Sequence, residues 1–492
     1  MSLSNHTFIL KNDNTLWGCG YNGYGHLGVG DTNNSHTTFV QATTNADNIR
    51  SVYCGCDHTF VLKNDDTLWG CGQNGDGQLG LGDKTYRKIF TQITTNTNNI
   101  KLICCGGYHT IILKNDGTLW GCGQNEYGQL GLGDAKNRTT FTQITTNTSD
   151  VKSIYCGYRY TIILKNDGTL WGCGHNAYYQ LGLGDSSDRN TFTQISTNVY
   201  DIKSVYCTYR NTFILKNDGT LWGCGNNYKG QLGIGDTTTY STFTQIYINA
   251  NNIKSFYCGG ENTIILKNDG TLWGCGNNEY GQLGLGDKNN RSTFTKITTN
   301  ANDIKLVYCG YYHTLILKND GALLGSGYNG YGQLGLGDYV DRNTFTKITT
   351  NANDVKCFAN DYNIPNTIKI YDSKIGLIET LDTNNFRNIP VDKFEKLKAL
   401  YVKPDSTILN CLVSFDKKQT WKTFNGNTWT TVSDTSGTNM IVNCMGIETL
   451  NNLNKNKLIQ GGFTGNLDFK IVIKTNDENK TSSVTKIYIE YK

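Results

Sequence analysis

Two kinds of pattern in this 492-residue chain carry the residue types and spacing that metal or cofactor chemistry uses. Cys54, Cys56 and His58 form a tight group that Cys104, Cys105 and His109 echo, offering the sulfur and imidazole ligands that zinc takes. A structural zinc site needs four converging ligands in paired short spacings, whereas each of these is a single group whose His recurs in a longer phrase, so no metal is expected. Gly18-Cys19-Gly20-Tyr21-Asn22-Gly23 and Gly70-Cys71-Gly72-Gln73-Asn74-Gly75 satisfy Gly-x-Gly-x-x-Gly. A pyrophosphate needs that turn to open a helix whose N-terminal amides face the anion. No helical periodicity follows either copy, and no cofactor is expected. Asp and Glu fall mainly in turns, and no Ser-His-Asp, paired-carboxylate or activated-Cys constellation emerges, so we expect no enzyme.

Binding is the chemistry left. After a recurring Cys-Gly the chain reads Cys56-Asp57-His58, Gly107-Tyr108-His109, Tyr158-Arg159-Tyr160, Tyr209-Arg210-Asn211, Gly260-Glu261-Asn262 and Tyr311-Tyr312-His313. Aromatic and Arg side chains dominate binding hot spots, and variable tips on a constant frame are what a recognition surface requires. The candidate ligand-binding residues are therefore Tyr108, His109, Tyr158, Arg159, Tyr160, Tyr209, Arg210, Glu261, Tyr311, Tyr312 and His313, with unconstrained drift as the competing reading. A second loop offers Tyr24, Asp76, Tyr127, Tyr178, Lys229, Tyr280 and Tyr331 at one position. Its near-constant Tyr favours a ring packed on the neighbouring unit with its hydroxyl in water.

What must position these tips is a repeat. Trp17, Trp69, Trp120, Trp171, Trp222 and Trp273 recur every 51 or 52 residues, and Leu324 takes the place in a seventh copy. Such a period marks one supersecondary unit that has to stack on its neighbours. Within a copy, Thr110 to Leu113 and Thr118 to Cys122 flank Asn115-Asp116-Gly117, a hairpin with a turn suited to positive φ. A further strand is predicted from Ile100 and another over Phe141 to Thr145, giving a four-stranded propeller blade. The first copy begins at His6 without its leading strand, and Val355 to Phe358 is a leading strand without a copy. These fragments are expected to pair and close the ring, removing two exposed sheet edges.

The core Gly-x-Asn-x-x-Gly-Gln-Leu-Gly-x-Gly at 123–133 and 276–286, with Cys-Gly-x-x-His-Thr before the hairpin, resembles the repeat of the regulator of chromosome condensation family. The resemblance covers residues 1–359 and implies a seven-bladed β-propeller. The family's founding member is an exchange factor for a nuclear small GTPase, acting through a protruding wedge and loops on one face. The even repeat spacing here leaves no room for an inserted wedge, and no basic tail precedes Met1, so exchange activity is not expected.

The fold class expected is all-β: a propeller over 1–359, closed by 355–358, then a small β-sandwich-like domain over 366–492. Pro365, Pro390 and Pro404 all follow the last repeat, whereas most of the 56 glycines precede it. Beyond the boundary, Ile368 to Tyr371, Leu400 to Val402, Leu409 to Val413 and Phe469 to Ile473 read as strands, and Val391 to Ala399 as a short helix. The segment from Val413 to Trp429 is similar to strands of phage tail-fibre proteins, and Trp421 with Trp429 forms a second candidate site, able to stack on a sugar or to pack a core.

A net charge of +4 without a clustered basic patch excludes a nucleic-acid partner. No apolar run spans a membrane, and no secretory signal opens the chain, so synthesis in a cytoplasm is expected. Most of the 17 cysteines recur at two places per copy, and Ser326 replaces one of the seventh pair, which argues for packed thiols rather than disulfides. Abundant Asn, Lys and Ile point to an AT-rich bacterial or phage genome. The leading expectation is a non-enzymatic recognition or structural protein of a phage tail or related particle. It would bind a protein or cell-wall glycan receptor on bacteria, with other tail proteins as further partners. The alternative is a cytoplasmic interaction scaffold, or an effector engaging a small GTPase.

Overall fold

The computed structural model describes residues 5–358, apart from 32, 43–44, 197–198, 248–252 and 299, and beyond them eight strands between 377 and 491. Seven four-stranded antiparallel sheets fill the first part, and no described residue is helical. The third blade shows the plan, with strands Ile100–Cys105, His109–Lys114, Leu119–Gly123 and Arg138–Ile144 in spatial order. Gly117 turns its hairpin with φ of 83°, a backbone that Asn14 (63°) and Asp66 (65°) adopt where the first two copies lack the glycine.

Each second strand is buried along nearly its whole length, because its two faces are covered by the two neighbouring blades. The core is thus shared between blades: Phe60 and Leu62 of the second pack with Ile112, Cys122 and Phe141 of the third. No blade holds a core of its own, which is why the repeat must stack.

Closure comes from both ends of the propeller sequence. Val355–Phe358 pairs with His6–Lys11 in the register Ile9 to Phe358, Leu10 to Cys357 and Lys11 to Val355, supplying the strand the first copy lacks. Phe358 and Val355 are buried there.

At the hairpin end of six blades a Lys ammonium sits over the Trp ring, as Lys165 does at 4.1 Å from Trp171, while the indole N–H donates to a Thr hydroxyl, Trp171 to Thr169 at 2.9 Å. The seventh blade loses both members together, carrying Ala322 and Leu324.

The chain divides into two units, Met1–Asn363 and Ile364–Lys492. In the second unit one sheet contains Thr407–Ser414, Trp421–Phe424, Trp429–Val432 and Asn466–Thr475, with the short strands Leu377–Ile378 and Ile389–Pro390 paired to the last of these. The segment expected to be helical is instead a strand from Phe394 to Val402, paired antiparallel with Val484–Tyr491. Its apolar residues fit a three-to-four-residue spacing, but a long partner strand overrides that local pattern. The predicted strand at 368–371 lies outside the described residues.

Candidate recognition face

The loops after Cys-Gly are fixed from beneath by a relay across each blade seam. His109 Nε2 lies 2.9 Å from the Thr161 hydroxyl of the next blade, and that hydroxyl donates to the Gln129 carbonyl at 2.7 Å. Because the hydroxyl proton is committed, the imidazole is the donor, with its proton on Nε2. His58 to Thr110 and His313 to Thr7 repeat the arrangement. The same carbonyl of Gln129 also accepts from the Cys173 thiol, whereas Ser326, at the thiol's position in the seventh blade, donates to the Gly281 carbonyl one residue earlier.

The glycine of Cys-Gly follows from this relay. A Cβ on Gly106 would lie 2.1 Å from His109 Cε1, and one on Gly310 2.0 Å from His313 Cε1. The fifth copy has Thr208 in the glycine's place, and there the ring is replaced by the smaller Asn211, whose backbone N–H donates to the Thr208 hydroxyl at 3.0 Å. In the fourth copy Tyr160 fills the position, its hydroxyl donating to the Asn211 carbonyl.

Burial holds the imidazoles of His58, His109 and His313 down at about 3, so they are neutral. Their Nδ1 atoms are buried without a hydrogen-bond partner, so a second proton would have no acceptor.

Above the seams the variable tips meet. Tyr158 packs against Tyr108 with centroids 5.4 Å apart and against Tyr209 at 4.4 Å. Tyr209 then reaches Tyr311 at 5.3 Å, from the fifth blade to the seventh past Gly260 of the sixth. Gly260 leaves that space open, since a Cβ there would lie 2.6 Å from the Tyr311 ring, and Gly107 does the same for Tyr158 at 2.5 Å. The contacts run on through Tyr312, Tyr280, Tyr328, Tyr331, Tyr21 and Tyr24. Ten tyrosines from six blades therefore make one unbroken belt, with Tyr158 donating a hydrogen bond to Tyr108 at 3.1 Å.

Charges are set into this belt. Arg159 lies over Tyr127, Tyr158 and Tyr108 at 5.0, 5.2 and 5.7 Å and donates to the Tyr127 hydroxyl at 3.0 Å. Arg210 lies 3.8 Å over Tyr178 and 4.5 Å over Tyr209. Glu261 accepts from the Asn277 amide at 3.0 Å. Burial pushes the Asp57 carboxyl up to about 6. The thiols are chemically quiet: burial raises Cys56, Cys105 and Cys156 well above the usual range. Among the described residues no group of three or more His, Cys, Asp or Glu is placed to hold a metal ion.

Of the eleven residues singled out in the first loop, Tyr108, Tyr158, Arg159, Tyr209, Arg210, Glu261, Tyr311 and Tyr312 share this half-buried face. His109, Tyr160 and His313 do not; each is 0 % exposed and belongs to the seam relay. The second-loop tyrosines join the face as well as packing on their neighbours. Tyr21, Tyr328 and His175, all at the x of Gly-x-Asn, were missed; only their variation from copy to copy marked them. Trp421 and Trp429 sit in paired strands, opposite Val432 and Phe424 respectively, so the ladder puts their positions on alternate faces.

Sequence comparison finds an RCC1-like domain over residues 2–199 and regulator of chromosome condensation (RCC1) repeats over 218–266 and 269–317. The ultraviolet-B receptor UVR8 of Arabidopsis thaliana is 32% identical over 343 residues, 68% of this chain and 76% of the receptor. The chain belongs to the RCC1 family. The human X-linked retinitis pigmentosa GTPase regulator is 31% identical over 294 residues, and this chain spans only 28% of its length. Among solved structures, yeast RCC1 (Prp20) bound to Kap60 covers 72% of the chain, and 86% of it is matched, with a TM-score of 0.62 at 20% identity. Human WBSCR16 gives 0.61 at 22%, over 70% and 94%. These two establish the shared fold. The RCC1 phrase Cys-Gly-x-x-His-Thr is accordingly a seam device, and its x positions build the face.

Proposed function

We propose that this RCC1-family chain is a non-enzymatic recognition module whose tyrosine belt docks a protein partner, a small GTPase being the class its relatives favour. The Tyr209 to Tyr311 contact carries the reading, because it joins separate loop tips into one amphipathic surface of rigid, low-entropy side chains. Kinship adds support: one relative is named a GTPase regulator, and one neighbour's structure is reported with its binding to Gsp1p and histones. The link from third to fourth strand has nearly the same length in every blade, which supports docking without a wedge that would eject nucleotide. The seam thiols suit a reducing compartment. A phage-tail component binding a bacterial receptor draws on the Val413 to Trp429 segment, and the relatives named above, all eukaryotic, lend it no support.

The test is binding of the full chain to a panel of GDP-loaded small GTPases by interferometry, with nucleotide release followed in parallel. At least one GTPase should bind without faster release, and Tyr209→Ala with Tyr312→Ala should weaken that binding by about tenfold or more. Equal binding by the variant, or none across the panel, would overturn the GTPase reading.

A further inference from the structure

The described arginines fall into two groups. Arg87, Arg138, Arg189, Arg291 and Arg342 open equivalent fourth strands, and each pairs with an Asp of its own blade at 2.5–2.7 Å, while Arg50 pairs with Asp66 at 2.6 Å. Arg159 and Arg210 are the two on the variable loops, and neither lies within ion-pair distance of a carboxylate among the described residues. Their contacts are tyrosine faces and hydroxyls, with Asp76 near enough to feel the Arg159 charge but not paired with it, and Arg159 Nε is buried without a hydrogen-bond partner.

The two belong to one patch. Tyr127, under Arg159, contacts His175 at 4.7 Å, and His175 contacts Tyr178, under Arg210, at 6.0 Å. His175 Nδ1 is engaged by the Gln180 amide at 3.0 Å. A half-desolvated guanidinium without a counter-ion is costly, and its planar fork is shaped for a carboxylate or a phosphate. Among the described residues every framework arginine is paired with an Asp instead.

We infer that the patch joining Arg159 and Arg210 is an anion subsite that takes the carboxylates of an acidic segment of a protein partner. This rests on the docking reading above and specifies the partner's charge. Carboxylates fit better than a nucleic-acid backbone because acids without an ion pair among the described residues flank the patch, Asp57, Asp76 and Glu126 on the second and third blades and Glu261 on the sixth, with Asp188 beside His175. A continuous polyanion laid across two arginines would meet those acids at both ends, whereas a short acidic segment flanked by neutral or basic residues would not.

The experiment uses the full chain and three probes: a fluorescein-labelled Glu-rich peptide, its Gln-for-Glu counterpart and inorganic phosphate. The acidic peptide should bind, the Gln peptide should not, and added salt should weaken binding. Arg159→Gln with Arg210→Gln should lower affinity by about tenfold or more. Arg159→Lys with Arg210→Lys, which keeps charge and bulk, guards against misfolding and should fall between the two. Peptide binding unchanged in both double variants would overturn the subsite, as would displacement of the peptide by phosphate at lower concentration than by unlabelled peptide. Tyr209→Ala with Tyr312→Ala, assayed against the GTPase panel, separates the cases. If GTPase binding needs the tyrosines while peptide binding ignores the arginines, the docking face stands and the anion subsite does not.

Discussion

At the scale of single residues, the relation between Gly106 and His109 explains why one loop position is glycine in five of the six copies while its neighbours roam. The Cε1 and Nδ1 atoms of the imidazole lie against the glycine, so the ring and any Cβ compete for one volume. We expect Gly106→Ala to cost about 1–3 kcal/mol by overpacking. Adding His109→Asn should return at least about half of that, since Thr208 with Asn211 is a natural version of the swap. A double-mutant cycle on thermal or denaturant melts measures the coupling, and additive losses would show that ring and Cβ do not compete. The hairpins, turn glycines and Trp positions were legible in the sequence because each rests on neighbours in the chain. That His109 and His313 serve the seams while Tyr108 and Tyr312 serve the face was not legible. One step along the loop decides it, and the relay partner Thr161 lies a full repeat away.

At the scale of elements, the relay makes the seams acid-sensitive. His58, His109 and His313 titrate near 3 when folded and near 6.5 when free, so below pH 6.5 the unfolded chain binds protons that the folded chain refuses. Stability from these groups is complete above about pH 6.5 and is lost progressively as the pH falls toward 3. Asp57 has the opposite sign, since its folded value of about 6 lies above the free value of 3.8, and burial raises Asp76 too. The buried His6 and His26 shift the same way as the three seam histidines, however, and together the histidines outweigh the two acids. Thermal midpoints should therefore fall steadily from pH 7 to 4, and His58→Asn with His109→Asn should flatten that slope. Parallel slopes for the two proteins would remove the seam histidines as the cause. Seams of this kind could be anticipated only as far as the thiols: Ser326 in place of a cysteine ruled against a disulfide there, and the thiol rung from Cys173 to the Gln129 carbonyl is what the packing uses instead.

At the scale of the whole molecule, the ring and its closing strand were readable because a missing strand at one end matched a surplus strand at the other. The belt was not, since Tyr209 and Tyr311 are brought together only by the curvature of a closed ring. Closure is therefore the condition for the face. A chain cut after Asn363 keeps Val355–Phe358, whereas one cut after Asp354 loses the first strand of a blade and exposes the edge that pairs Ile9 with Phe358. Truncating a buried Phe alone costs about 3–5 kcal/mol, and the shorter chain also loses ladder hydrogen bonds, against a whole-domain stability of about 5–15 kcal/mol. We expect the longer chain to melt cooperatively as a monomer, and the shorter to melt at least about 10 °C lower or to aggregate through its open edge. Equal midpoints, with the two monomers matched by size-exclusion chromatography, would mean that the ring holds its shape without the closing strand. The face would then need another account of how blades five and seven stay in contact.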